Sequence, residues 1–87
     1  MLKRSRQAPD RFQPTRTEEV FALYLARELQ DSARVRWYAA LTHRYSMCLL
    51  LLALRRTRAR ARVHQHRVTP EAFMAALADL MLEGTAQ

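Results

Sequence analysis

Apolar positions between Val20 and Leu29 recur at helical spacing: Val20, Phe21, Leu23, Tyr24, Leu25 and Leu29 form a broad apolar side, while Arg27, Glu28 and Gln30 fall toward solvent. Thr15 followed three residues later by Glu18 has capping-box spacing, and Glu18 and Glu19 suit the positive end of a helix dipole, so the first helix is expected over 15–30. Asp31 and Ser32 both suit an N-cap. Trp37, Tyr38, Leu41 and Tyr45 then repeat at i, i+1, i+4 and i+8, which predicts a second helix over 33–44. Ser46 can cap a third, over 46–62, that begins as an unbroken apolar run and ends as an arginine comb. The fourth, over 69–83, has Thr69 as N-cap, Pro70 in its first turn and Glu71 beside it. Phe73, Met74, Leu77, Leu80 and Met81 keep its period, and Gly84 stands where a left-handed C-terminal residue belongs.

This pattern predicts an all-α fold, a compact bundle of about four short helices forming a single domain over 15–87. The first fourteen residues, with Pro9 and Pro14 and no apolar period to bury, read as a flexible basic arm. Met47, Leu49, Leu50, Leu51, Leu52 and Leu54 point around more than one side of the third helix, so its first two turns are expected to be nearly surrounded. Cys48, inside that run, is expected to be a small buried hydrophobe, and Tyr24 a core aromatic. The short joint at Tyr45 and Ser46 predicts an antiparallel or angled hairpin of helices two and three. The fourth helix is expected to lie over the leucines of the third. Its spare apolar surface, including Met74, Met81 and Leu82, is a candidate for self-association or a partner helix.

Charge changes the picture more than length does. The chain of 87 residues carries a net charge of +7, unevenly placed. Between residues 32 and 67 stand Arg34, Arg36, Arg44, Arg55, Arg56, Arg58, Arg60, Arg62 and Arg67 without a single acid, whereas residues 68–87 hold Glu71, Asp79 and Glu83 and no Lys or Arg. Within the comb Arg55 to Arg62 no carboxylate lies four residues away to neutralise a guanidinium. That end is therefore expected to be solvated or to meet an outside anion. Helix-dipole stabilisation, worth about 0.3–1 kcal/mol near a C-terminus, needs fewer cations than this.

Nucleic acid, DNA or RNA, is the expected anion. Arg34, Arg36, Arg55, Arg56, Arg58, Arg60, Arg62 and Arg67 are the candidate binding residues, and five phosphates gripped by the comb predict a log-log salt slope near about −4.5 on duplex DNA. Trp37 and Tyr38 interleaved with Arg34 and Arg36 resemble a base-stacking surface, but aromatics on a helical stripe are usually core anchors, and that is the expected role. Helix-turn-helix readout is disfavoured because the opening turn of the third helix offers Met47, Cys48, Leu49 and Leu50 and no bidentate donor for base edges. The expected role is a small nucleic-acid-binding protein or an accessory subunit of a nucleoprotein complex. The alternative is a helical adaptor, or homodimer, that docks its basic face on an acidic protein.

Other chemistry is not assembled in the sequence. No nucleophile–base set, paired carboxylates or phosphate loop appears, so no enzymatic activity and no cofactor are expected. His64 and His66 would diverge by about 200° on a helix, and no second pair completes a ligand set, so no metal is expected. His43 beside Arg44 reads as a surface residue. Met47–Leu54 is too short to span a bilayer. With no apolar leader in the first residues and a single cysteine, the expected location is cytoplasmic or nucleoid-associated, not secreted.

Overall fold

The computed structural model describes residues 13–85. Within them the chain forms four helices, α1 (Arg16–Glu28), α2 (Val35–Arg44), α3 (Met47–His64) and α4 (Pro70–Thr85), with a short 3-10 turn, Ser32–Arg34, leading into α2. No strand occurs among the described residues. The all-α expectation holds, with helix bounds within about two residues of those expected. The basic arm expected over 1–14 lies, up to residue 12, outside the described residues.

The helix starts follow the local chemistry. Thr15 and Glu18 form a complete capping box: the Glu18 amide donates to Thr15 Oγ1 at 3.1 Å and the Thr15 amide to Glu18 Oε1 at 2.9 Å. Ser46 Oγ accepts from the Leu49 amide at 3.1 Å, and Thr69 Oγ1 from the Ala72 amide at 3.1 Å. Asp31 does not cap α2. Its carboxylate instead accepts from Arg34 Nε at 2.7 Å and from the Tyr38 hydroxyl at 2.8 Å, which winds Ser32–Arg34 into the 3-10 turn and delays the helix to Val35.

The helix ends depart from the glycine expectation. Gly84 lies inside α4 and no glycine has positive φ. The left-handed positions belong to Gln30, at φ 54°, and Gln65, at φ 56°. After α1 the Asp31 amide reaches the Ala26 carbonyl at 2.7 Å, and after α3 the His66 amide reaches the Ala61 carbonyl at 3.0 Å. Both are the six-to-one closure of a Schellman turn, built here on glutamine.

α1 packs on α2, and α3 packs on α4. Buried alanines let each pair approach: Ala22 and Ala26 with Ala39, and Ala53 with Ala76. The hairpin expected between helices two and three is not formed, since α2 and α3 hardly touch. Tyr45 (φ −121°, ψ 152°) and Ser46 (φ −67°, ψ 150°) are both extended, and two extended residues carry α3 away from α2. The two pairs share one core in which Leu25, Leu29 and Tyr38 meet Leu50, Leu54, Phe73 and Leu77. The buried hydroxyls Thr57 and Thr42 are satisfied by the Ala53 carbonyl at 2.6 Å and the Ala39 carbonyl at 2.8 Å.

Candidate nucleic-acid interface

The arginine comb is two lines on opposite flanks of α3. Arg56 and Arg60 point toward α4. Arg56 makes a bidentate pair with Glu83, at 2.6 and 3.2 Å, and Arg60 donates to Asp79 at 2.8 Å. The partners step four residues back along α4 as the arginines step four forward along α3, which is the register of an antiparallel pair. Arg56 holds the Glu83 carboxyl below the usual carboxylate range, and the same hydrogen bond raises the Arg56 guanidinium above its own.

Arg55, Arg58 and Arg62 form the second line, spaced i, i+3 and i+7 on the flank nearer α1. Arg58 is tied to Glu28 of α1. Arg55 and Arg62 are exposed and form no ion pair among the described residues. At 1.5 Å per residue they stand about 10 Å apart along the helix. Arg67, just beyond, donates to Gln30 Oε1 at 3.2 Å, a neutral partner that leaves its charge uncompensated.

The expectation that the comb meets only water or an outside anion is therefore corrected for Arg56, Arg58 and Arg60. Counting carboxylates four residues away misses partners that stand 27, 30 and 19 residues distant in sequence. Arg34 is likewise held, by Asp31 and by stacking over Trp37 at 4.7 Å from the ring centroid. Arg36 lies elsewhere, in a groove between α1 and α2 with Glu19 and Leu23. The eight candidate arginines thus do not share one surface. Arg55, Arg58 and Arg62, with Arg67 beyond them, form the one continuous line.

Sequence spacing placed Trp37 and Tyr38 correctly as core anchors but misplaced Tyr24 and part of the apolar run. Tyr38 is fully buried, with Trp37 half-buried and edge-on to it at 4.9 Å, so the pair serves as core anchors and Tyr38 offers no face to a base. Tyr24, expected in the core, is 38% exposed. Cys48, Leu51 and Leu52 are exposed as well, because α1 runs alongside this side of α3 without close backbone approach. The gap is a shallow cavity of about 390 Å³ with Tyr24, Cys48, Leu51 and Leu52 as an apolar floor and Arg55 and Arg58 at its end. An exposed tyrosine beside an arginine line was legible in neither helix alone, since the two lie on different elements.

The histidines are differently placed than a continuous helix implies. Because α3 ends at His64 and Gln65 turns left-handed, the His64 and His66 rings come parallel, with centroids 6.2 Å apart, at the same end as Arg62 and Arg67. His66 Nδ1 bonds to the Arg67 carbonyl at 2.9 Å. No group of three or more metal-ligating residues gathers among the described residues. His43 is within 3.3 Å of Glu18, which ties the start of α1 to the end of α2. No helix among the described residues is long and apolar enough to cross a membrane.

Compared with protein-family models, curated proteins and solved structures, the chain matches none.

Proposed function

We propose that this chain is a small nucleic-acid-binding protein, or an accessory subunit of a nucleoprotein complex, that grips phosphates through Arg55, Arg62 and Arg67, with Arg58 between them shared with Glu28. The observation that carries the reading is the pair of exposed arginines without an ion pair, Arg55 and Arg62, on the flank of α3 whose start adjoins an apolar floor containing Tyr24. Guanidinium groups along one helix flank suit successive phosphates, and an aromatic edge beside them suits an unpaired base. Single-stranded DNA or RNA is accordingly the preferred ligand over duplex, which would present only its backbone to the same line. The same reading implies a location with nucleic acid, in the cytoplasm or at the nucleoid.

Arg56 and Arg60 leave the list of gripping residues because they hold α4. Their removal reduces the number of phosphates neutralised from about five to about three or four, and so makes the expected salt dependence shallower.

The test is fluorescence-anisotropy binding of a labelled oligonucleotide, single-stranded and duplex, to the wild type and to Arg55→Glu/Arg62→Glu and Tyr24→Ala. Charge reversal at two exposed positions is expected to weaken binding at least about tenfold. Loss of the ring is expected to weaken single-strand binding roughly fivefold or more and duplex binding less. Binding that is absent, or equal in all three proteins, overturns the proposal and directs attention to an acidic protein as the ligand of this face.

A further inference from the structure

Beyond the arginine line, the end of α3 brings together two side chains that the proposed grip leaves idle. Gln65 turns left-handed after His64, and the His66 amide closes on the Ala61 carbonyl at 3.0 Å, so the chain folds back over the last turn of the helix. On an uninterrupted helix the two imidazoles would diverge by about 200°. Here the His64 and His66 rings are parallel, with centroids 6.2 Å apart, and both residues are exposed. His66 is also oriented. Its Nδ1 lies 2.9 Å from the Arg67 carbonyl, which can only accept, so Nδ1 carries the hydrogen and Nε2 is the nitrogen left to gain a proton. The charged neighbours are cationic or already engaged. Arg62 precedes the pair, exposed and without an ion pair among the described residues, and Arg67 follows it, bonded to the neutral Gln30 after α1. Glu28 at the end of α1 is held by Arg58, and Asp31 by Arg34 and Tyr38. On α4, Asp79 is held by Arg60 and Glu83 by Arg56, while Glu71 lines a cavity with Arg34 and Trp37. No carboxylate among the described residues pairs with either ring.

We propose that His64 and His66 extend the phosphate grip of Arg62 and Arg67, as contacts made in acid and released at alkaline pH. The inference rests on the proposed function and adds two binding residues and a regulation to the same site. Imidazole changes charge between about pH 5 and 8, whereas the arginines keep theirs throughout. Protonated, the pair presents N–H donors beside two guanidinium groups, a cationic set suited to the oxygens of the next phosphates of a strand that already lies along Arg55 and Arg62. Neutral His66 instead turns the lone pair of Nε2 outward, which repels a phosphate oxygen, so the same atom passes from acceptor to donor as the pH falls. Four cations at one helix end repel one another when nothing neutralises them. A bound phosphate removes that repulsion, so phosphate binding and proton uptake favour each other. This reciprocity fixes the sign: acid tightens the hold on nucleic acid, and alkali loosens it.

The test is fluorescence-anisotropy titration of a labelled oligothymidylate with the full chain over a range of salt, at about pH 5.5 and about pH 8. Thymine does not titrate between these values, so the ligand stays constant. The wild type is expected to bind about fivefold or more tightly in acid, with a log-log slope steeper by about 1.4, the share of two further single-strand phosphates. His64→Gln/His66→Gln is expected to lose both differences, and His64→Lys/His66→Lys, which carries fixed cations, to show the steep slope at both pH values. His43→Gln, at the Glu18 pair, is expected to behave as the wild type. Circular dichroism at each pH checks that the fold is intact. This set of results supports the inference. A wild-type slope and affinity that do not change with pH, or a pH effect that survives in His64→Gln/His66→Gln or vanishes in His43→Gln, overturns it while binding at about pH 8 leaves the proposed function standing. Binding absent at both pH values overturns the two readings together. Binding confined to acid and lost with the two histidines upholds the pair and overturns the arginine grip.

Discussion

Asp31 combines two roles that its local spacing does not reveal, as acceptor for the Tyr38 hydroxyl and for Arg34. Its carboxylate is drawn below the usual range first by the Tyr38 hydroxyl and then by Arg34, while Glu18 is lowered by the Thr15 amide and His43. In each the folded carboxyl is more acidic than the unfolded one, so these contributions are present above the ordinary values of 3.8 and 4.5 and are lost as pH falls through the lowered folded values. Chemical denaturation is therefore expected to show stability dropping below about pH 4.5, with a smaller drop in Asp31→Asn. An equal acid drop in that variant contradicts the assignment. Tyr38 is the opposite case. Burial, then Asp31, raises its hydroxyl well above the ordinary 10.0, so the neutral form is favoured in the fold and stability is lost as pH rises beyond about 10. Tyr38→Phe is expected to flatten that alkaline limb at a cost near neutral pH of about 0.5–1.5 kcal/mol for the missing hydrogen bond. The burial of Tyr38 was legible in its helical stripe. The double use of Asp31 was not, because a residue suited to an N-cap is equally suited to any nearby donor.

Among the elements, the starts of α1, α3 and α4 were readable because a cap is a local device: Thr15, Ser46 and Thr69 each bond an amide three residues on. The ends of α1 and α3 were not, because nothing in the residue type of Gln30 or Gln65 announces a left-handed backbone. That conformation costs a non-glycine residue about 1–2 kcal/mol, and glycine adds back about 0.5–1 kcal/mol of chain entropy. Gln65→Gly is thus expected to stabilise the protein by about 0.5–1 kcal/mol in denaturant titration; a destabilised variant would contradict the turn assigned to the end of α3. The flanks of α3 show the same limit at greater distance. Periodicity separates Arg55, Arg58 and Arg62 from Arg56 and Arg60, yet only tertiary structure shows that the second set faces carboxylates on α4. Similarly, the apolar run of α3 showed where the core begins but not that Leu51 and Leu52 would remain outside it.

Across the whole molecule the ion pairs redistribute the charge that the sequence presents. Glu18, Glu28, Asp31, Asp79 and Glu83 are all engaged within the fold, which leaves only Glu19 and Glu71 among the described carboxylates without an ion pair. The acid-free stretch from 32 to 67 is therefore less exposed a polycation than it reads, and its open part is a short line at one groove. The overall bundle was legible because it follows from apolar periodicity. The division of arginines into structural and open sets was not, since it depends on which helices pair. The most direct measurement is the salt dependence of single-stranded DNA binding, compared between wild type, Arg55→Glu/Arg62→Glu and Arg56→Gln/Arg60→Gln. The expected wild-type log-log slope is about −2 to −3, with a clearly shallower one when Arg55 and Arg62 are reversed, and an unchanged slope with lowered thermal stability when Arg56 and Arg60 are neutralised. A slope that flattens only in the Arg56→Gln/Arg60→Gln protein, or one near zero in the wild type, would contradict it.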